Sequence, residues 1–351
     1  MRPIRVLVVE DSLTVRAVLC DVLSRDPELE VVGVAEDGRR AIEQCEALRP
    51  DVITMDMMLP VMSGLAATEY IMAYRPTPIL IVSSSTNRGE LFRTYEALAA
   101  GAVDVLDKPK GDEPDGAWER RFVATVKLVS RIRVITHPRA RLREMTTTAP
   151  PPVHPRVHGR RECRLVAIGA STGGPGALRE VLRALPADFP IAVIVLLHLG
   201  ATFGHSFAAW LETELGHPVA IAKDNEPLVP AASRIVMAPP SRHLIVRDGR
   251  LHLTDGAERN SCRPSIDVLF ESIAADLGGA VAACLLTGMG KDGAGGLLQL
   301  RRAGAYTIAQ DEATSVVYGM PREAALLGAP EQVLPLAEIG PALAALARRD
   351  A

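Results

Sequence analysis

The chain has 351 residues, 48% apolar and 23% charged, with a net charge of −3. That balance belongs to an ordinary globular protein and excludes a fibrous repeat, a disulfide scaffold and a mainly disordered chain. At roughly 150 residues per domain, the length argues for two domains. Charge is unevenly spread: residues 1–130 carry −6, residues 131–161 carry +7 and residues 162–351 carry −4. Neither large block therefore has the basic character of a nucleic-acid binder. The longest apolar run, residues 191–197, is far short of the roughly 20 residues that span a bilayer. Arg2, Arg5, Glu10 and Asp11 interrupt any signal-like opening. Five cysteines (Cys20, Cys45, Cys163, Cys262 and Cys284) without a C-x-x-C spacing fit reduced thiols. A cytoplasmic protein without membrane insertion is expected.

In chain order, the first block sets short apolar runs at residues 4–9, 31–35, 52–55, 79–82 and 103–106 between amphipathic stretches such as 13–24, 39–48 and 91–100. Five β-α units in residues 1–125 predict a flavodoxin-like parallel sheet with helices on both faces. Residues 126–162 read as a helix end followed by a Pro- and Arg-rich tether. Its histidines, His137, His154 and His158, have no cysteine or carboxylate cluster that would make them metal ligands. The second block, residues 163–351, has strand-like runs at 165–168, 191–197, 219–222, 235–237, 281–286 and 306–309. A β-hairpin is predicted around Asp248-Gly249. It too is expected to be a doubly wound, mostly parallel α/β domain. Ligands in such sheets bind beyond the carboxyl ends of the strands.

Just past the strands of the first block stand Glu10, Asp11, Asp56, Ser83, Ser84 and Lys108. Clustered carboxylates repel one another and invite a hard divalent cation, for which Mg²⁺ is the natural choice. An aspartate beside such an ion can attack phosphorus, and a lysine can neutralise the transferred group. Residues 1–125 resemble a response-regulator receiver domain through Val-Val-Glu10-Asp11-Ser, Met55-Asp56, Pro60, Gly64 and Asp107-Lys108-Pro109. The resemblance implies Asp56 as phospho-acceptor, Mg²⁺ held by Glu10, Asp11 and Asp56, Ser83 sensing the phosphoryl group and Lys108 pairing with it. Met58, Ser63 and Val105 depart from the common receiver pattern, which leaves the chemistry intact and bears on coupling to output.

In the second block, Gly169-Ala170-Ser171-Thr172-Gly173-Gly174 follows a strand and precedes a helical stretch. Pro175 stands where a P-loop needs lysine, and the glycine spacing is wrong for a dinucleotide fingerprint. The match is to G-x-S-x-G, which exposes a serine at a strand-to-helix turn. Such a hydroxyl needs a base and an orienting carboxylate. His198 ends the longest apolar strand, whereas His205, His217, His243 and His252 lie at surface or packing positions. Asp292 follows the strand at 281–286, at the start of a helix. Backbone N–H groups at Thr172 and Met289 are candidates for the oxyanion hole.

The order Ser171, His198, Asp292 is not that of α/β-hydrolases. Ser-Thr-Gly-Gly, the strand-end histidine and Leu-Thr-Gly-Met-Gly-Lys-Asp292-Gly-Ala resemble a CheB-type protein-glutamate methylesterase domain. Arg263-Pro264-Ser265-Ile266-Asp267 and Tyr318-Gly319-Met320-Pro321 also match, while His198-Leu199-Gly200 departs from the usual His-Met-Pro. The resemblance implies a chemotaxis enzyme that hydrolyses glutamate γ-methyl esters on chemoreceptor cytoplasmic domains, releases methanol and deamidates receptor glutamines, with no cofactor for the hydrolase. It implies a chemotaxis histidine kinase as phosphodonor and a receiver that blocks the hydrolase until phosphorylated. Two other readings are open: a receiver fused to a non-catalytic interaction domain, and a DNA-binding regulator, which residues 162–351 are too acidic to favour.

Overall fold

The computed structural model describes residues 2–84, 88–109, 116–132, 134, 163–230 and 232–347. The chain divides into two compact units, Met1–Ala149 and Pro150–Ala351. The tether expected within residues 126–162 lies largely outside the described residues, as do its three histidines.

In the first unit, β1 (Ile4–Val9), β2 (Leu29–Ala35), β3 (Val52–Met55), β4 (Ile79–Ser83) and β5 (Asp104–Asp107) form one parallel sheet in the order β2-β1-β3-β4-β5. The helices α1 (Leu13–Ser24), α2 (Gly38–Leu48), α3 (Gly64–Tyr74), α4 (Arg88–Ala99) and α5 (Ala117–Val129) follow the strands. Continuous apolar strands arise because both faces are covered, and Val6 to Val9 are buried. Helix starts are fixed by side-chain caps: Ser12 accepts from Val15 N, Asp37 from Arg39 N and Arg40 N, and Ser63 from Ala66 N. Trp118 stacks on Phe122 and donates from Nε1 to Asp107 O at 2.7 Å. This ties α5 to the strand end next to Lys108. At Gly64, a Cβ would stand 1.9 Å from Asp56 O, so the loop after Asp56 closes only over glycine.

In the second unit, β6 (Leu165–Ala170), β7 (Ala192–Leu197), β8 (Val219–Ile221), β10 (Ile235–Met237), β13 (Val281–Leu285), β14 (Tyr306–Gln310) and β15 (Gln332–Leu334) make a seven-stranded parallel sheet. Its order is β15-β14-β13-β6-β7-β10-β8. The expected hairpin is β11 (His243–Arg247) with β12 (Arg250–Thr254), and β9 (Glu226–Pro227) adds a third antiparallel strand. Asp248 and Gly249 both have positive φ, 53° and 66°, as a primed turn requires. Their N–H groups donate to the Asp276 carboxylate at 2.6 and 3.0 Å. Both units are thus α/β with parallel sheets, the second carrying the hairpin. β9 and β15 went unforeseen because Glu-Pro and Gln-Val-Leu form no apolar run, unlike the similarly short β8 and β10. Helices α6 (Gly174–Arg183), α7 (Ala201–Leu215), α8 (Ile266–Leu277), α9 (Ala294–Arg302), α10 (Met320–Leu326) and α11 (Leu336–Ala345) complete the unit. The core between α8, α9 and the sheet is built from Ile266, Leu269, Phe270, Ile273, Leu285 and Leu297, all fully buried.

Candidate active site and receiver pocket

At the carboxyl edge of the first sheet, Lys108 Nζ lies 2.9 Å from Glu10 Oε2 and 3.0 Å from Asp56 Oδ2. Glu10 and Asp56 are buried, whereas Asp11 is exposed. Burial pushes the Glu10 and Asp56 carboxyls above their ordinary range, and Lys108 only partly offsets it. Burial alone would lower the Lys108 ammonium, but the two carboxylates hold it above its ordinary value. Asp56 Oδ1 is buried without a hydrogen-bond partner. One oxygen from each of Glu10, Asp11 and Asp56 lies within 4.8 Å of the other two. Hard oxygen donors at this spacing, one of them facing solvent, fit a magnesium-like cation that keeps some of its waters.

Ser83 is buried at the end of β4, but its hydroxyl donates to Glu90 Oε1 at 2.7 Å. Ser84 also donates to Glu90, through N at 2.9 Å and Oγ at 2.7 Å. The structure therefore brings Glu10, Asp56 and Lys108 into contact and engages Ser83 with α4. Glu90 was invisible in the sequence, since one glutamate on a helix carries no signal of its own.

In the second unit, Ser171, His198 and Asp292 follow β6, β7 and the loop after β13, three strands that are neighbours in the sheet. Ser171 N donates to Thr287 O at 3.0 Å, and His198 N donates to Ala170 O at 3.0 Å. His198 Nε2 stands 3.1 Å from Asp292 Oδ2, and Nδ1 faces Cys262 Sγ at 3.8 Å. Among the described residues no hydrogen bond joins the Ser171 hydroxyl to the ring. Catalytic hydrogen bonds are often long before substrate arrives. The N–H groups of Thr172 and Met289 donate to no protein acceptor among the described residues, which leaves both available to an oxyanion.

Asp292 is held more firmly than its place ahead of α9 suggested. The donors come from the N-terminus of α8: Ile266 N at 2.7 Å, Asp267 N at 3.3 Å and Ser265 Oγ at 2.7 Å, with Asn260 Nδ2 at 3.1 Å. Burial would raise its pKa, but His198, Ser265 and the Ile266 N–H bring it down to about 2. Burial would lower His198, yet its neighbours Asp292 and Cys262 raise it to about 9.

A second layer supports this grip. Asn260, at φ 51°, bridges Asp292 and Asp267 Oδ2, the latter at 2.8 Å. Arg259 pairs with both oxygens of Glu271 at 2.7 Å. The buried His243 accepts from Ser265 N at 3.1 Å, which makes it a packing histidine as expected. Asn260 carries no mark in the sequence, and Cys262, one of the five thiols, and Ser265, inside the match at residues 263–267, had no role there at this site. Only Ser265 had a signal, as a serine directly before an apolar helical run.

Residues 6–114 match the response regulator receiver domain family and residues 166–343 the CheB methylesterase family. A protein-glutamate methylesterase/protein-glutamine glutaminase of Xanthomonas campestris pv. campestris is 43% identical, with 98% of this chain and 97% of the relative aligned. One from Anaeromyxobacter dehalogenans is 44% identical over 99% of this chain and all of the relative. The crystal structure of the Thermotoga maritima CheB methylesterase catalytic domain superposes with a TM-score of 0.50 at 33% identity, covering 52% of this chain and 98% of that one. No helix among the described residues is long and apolar enough to cross a membrane. The chain belongs to the CheB methylesterase family, with a response regulator receiver domain ahead of the methylesterase domain.

Proposed function

We propose that this protein hydrolyses glutamate γ-methyl esters on the cytoplasmic domains of chemoreceptors, deamidates receptor glutamines, and does so faster when Asp56 is phosphorylated. The observation that carries the hydrolytic reading is the convergence of Ser171, His198 and Asp292 at three neighbouring strand ends. Ser171 Oγ attacks the ester carbonyl carbon while His198 takes its proton, and Asp292 holds the ring and stabilises the imidazolium. The oxyanion sits against the N–H groups of Thr172 and Met289. His198 then gives its proton to the departing methanol, and water attacks the acyl-enzyme by the same route to release glutamate. A glutamine side chain follows the same course with ammonia as leaving group.

In the receiver, Glu10, Asp11 and Asp56 would hold Mg²⁺, which neutralises charge on the phosphoryl group as it is transferred. Asp56 accepts that group from a chemotaxis histidine kinase, Lys108 pairs with it, and Ser83 exchanges Glu90 for a phosphoryl oxygen. On this reading the protein works in the cytoplasm, where kinase and receptor tails meet. The domains are assigned as 1–125 for the receiver, 126–162 for the helix end and tether, and 163–351 for the esterase.

The test is methanol release from methylated receptor, and ammonia release from its glutamine form, with and without a small-molecule phosphodonor. Release that depends on Ser171 and rises with phosphodonor supports the proposal. Release unchanged in Ser171→Ala overturns the catalytic assignment, and a rate indifferent to phosphodonor overturns the regulatory one.

A further inference from the structure

The loop before α8 places a thiol that the esterase mechanism does not use. Arg259 and Cys262 exchange backbone hydrogen bonds at 3.1 and 2.9 Å, and Asn260 and Ser261 both adopt positive φ, 51° and 60°. This tight turn, anchored through Asn260 to Asp267 and Asp292 and through Arg259 to Glu271, sets Cys262 Sγ against the His198 ring. One ring nitrogen of His198, the Cys262 sulfur and one oxygen of Asp292 all lie within 4.8 Å of one another.

We infer that His198, Cys262 and Asp292 form a binding site for a thiophilic divalent cation of the zinc type, and that an ion bound there reversibly inhibits the esterase. The donor set is one nitrogen, one sulfur and one carboxylate oxygen, which suits Zn²⁺ and disfavours Mg²⁺. Bond lengths of about 2.0–2.3 Å in a tetrahedron put ligand atoms about 3.3–3.6 Å apart, so atoms now within 4.8 Å of one another must draw together. The His198 ring must also turn one nitrogen toward both Cys262 and Asp292, which now face different nitrogens. Three protein ligands leave the fourth position to water. Asp292 already has its outer hydrogen bonds from Ser265, Asn260 and the α8 N-terminus, the kind of support that orients metal ligands. Binding displaces the thiol proton of Cys262 and the proton on the ring nitrogen that takes the ion, both of which go to solvent. It also ties up the ring lone pair and the carboxylate that proton transfer needs.

The binding half stands on geometry alone, whereas the inhibitory half rests on the proposed role of His198. Co²⁺ serves as the probe, because a thiolate ligand gives it a near-ultraviolet charge-transfer band that oxygen ligands do not. The receiver pocket has only oxygen donors, and among the described residues no other cysteine belongs to such a cluster. Titration of the full chain with Co²⁺ is expected to produce the band, Zn²⁺ to abolish it, and both Cys262→Ser and Cys262→Ala to lack it. Phosphate uptake by the receiver and circular dichroism verify that the variants fold. Methanol release in zinc-buffered solution is expected to fall at least about 10-fold in the native chain, and the Cys262 variants should need roughly 100-fold more zinc for the same loss. A band that persists without Cys262, or no band in the native chain, overturns the site. A band present with esterase activity unmoved by zinc overturns the inhibition. Activity that survives Ser171→Ala while the band remains counts against the hydrolytic reading and leaves the metal site standing.

Discussion

The two sheet edges answer the same architectural problem in opposite ways. Both collect acidic side chains beyond the ends of parallel strands, where the fold leaves a crevice. At the receiver edge, Glu10 and Asp56 are buried with a single ammonium between them, and Asp56 Oδ1 has no partner. At the esterase edge, Asp292 is buried too, yet it gathers two backbone N–H groups, a hydroxyl and an amide, with the His198 ring 3.1 Å away. One carboxylate is driven up in pKa and the other down. Burial alone therefore does not set the chemistry; the donor count does. An under-satisfied carboxylate is a nucleophile awaiting a cation and a phosphoryl group, whereas a saturated one is a fixed counter-charge.

That contrast breaks if the edges are not chemically separate. Ser171→Ala is expected to lower esterase turnover by about 10⁴-fold or more while leaving phosphate uptake intact. Asp56→Asn is expected to abolish Mg²⁺-dependent phosphate uptake from acetyl phosphate while leaving unphosphorylated esterase activity unchanged. Paired assays on the two variants check both, and cross-effects in either direction would contradict the separation.

The saturated carboxylate is probed by Asp292→Asn, expected to lower turnover by roughly 10⁴-fold. A base must be neutral to accept a proton, so the raised His198 value of about 9 makes native kcat/KM climb with pH toward that value. Removing the Asp292 charge lowers the ring's pKa, and the rising limb of the residual activity moves to lower pH. A pH–rate profile of both proteins reads this directly.

A smaller effect is expected from Gly288→Ala. Its Cβ would stand 2.5 Å from Met320 Sδ and 2.7 Å from Ser171 Cβ, so the nucleophile must shift. A misplacement of about 1 Å costs about 100-fold in kcat, measurable in the methanol assay. Smallest is Ser265→Ala, which removes the cap to Val268 N and the bond to Asp292. It should cost about 1–2 kcal/mol of stability, read from the urea unfolding of the second unit.

Much of this was legible because strands buried on both faces announce themselves as apolar runs, and the residue after each run falls on the functional edge. Asp56 and His198 are candidates on that ground, and Ser171 on the G-x-S-x-G pattern that follows such a run. What escaped was the material of loops. Asn260 and Cys262 reach His198 and Asp292 from 30 to 64 positions away through a turn with left-handed backbone, and no local period encodes such an approach. Ser83 was readable as a strand-end hydroxyl, but its present partner, Glu90, depends on how α4 begins. β9 and β15 exist as pairing partners of longer strands, so their identity lies in the neighbours rather than in their own residues.

Because Asp292 is stitched to the start of α8, the protein offers unequal routes to an inert copy of itself. Replacing the aspartate is expected to slow the chemistry, but it also unpicks the seam between α8, the Asn260 turn and the sheet. The Ser171 hydroxyl, by contrast, carries no hydrogen bond among the described residues, and deleting one oxygen there disturbs nothing around it. A serine-deleted chain should therefore keep its receptor-facing contours and linger on a methylated glutamate it cannot cleave. Such a decoy is a means of isolating whichever receptor segments this enzyme visits.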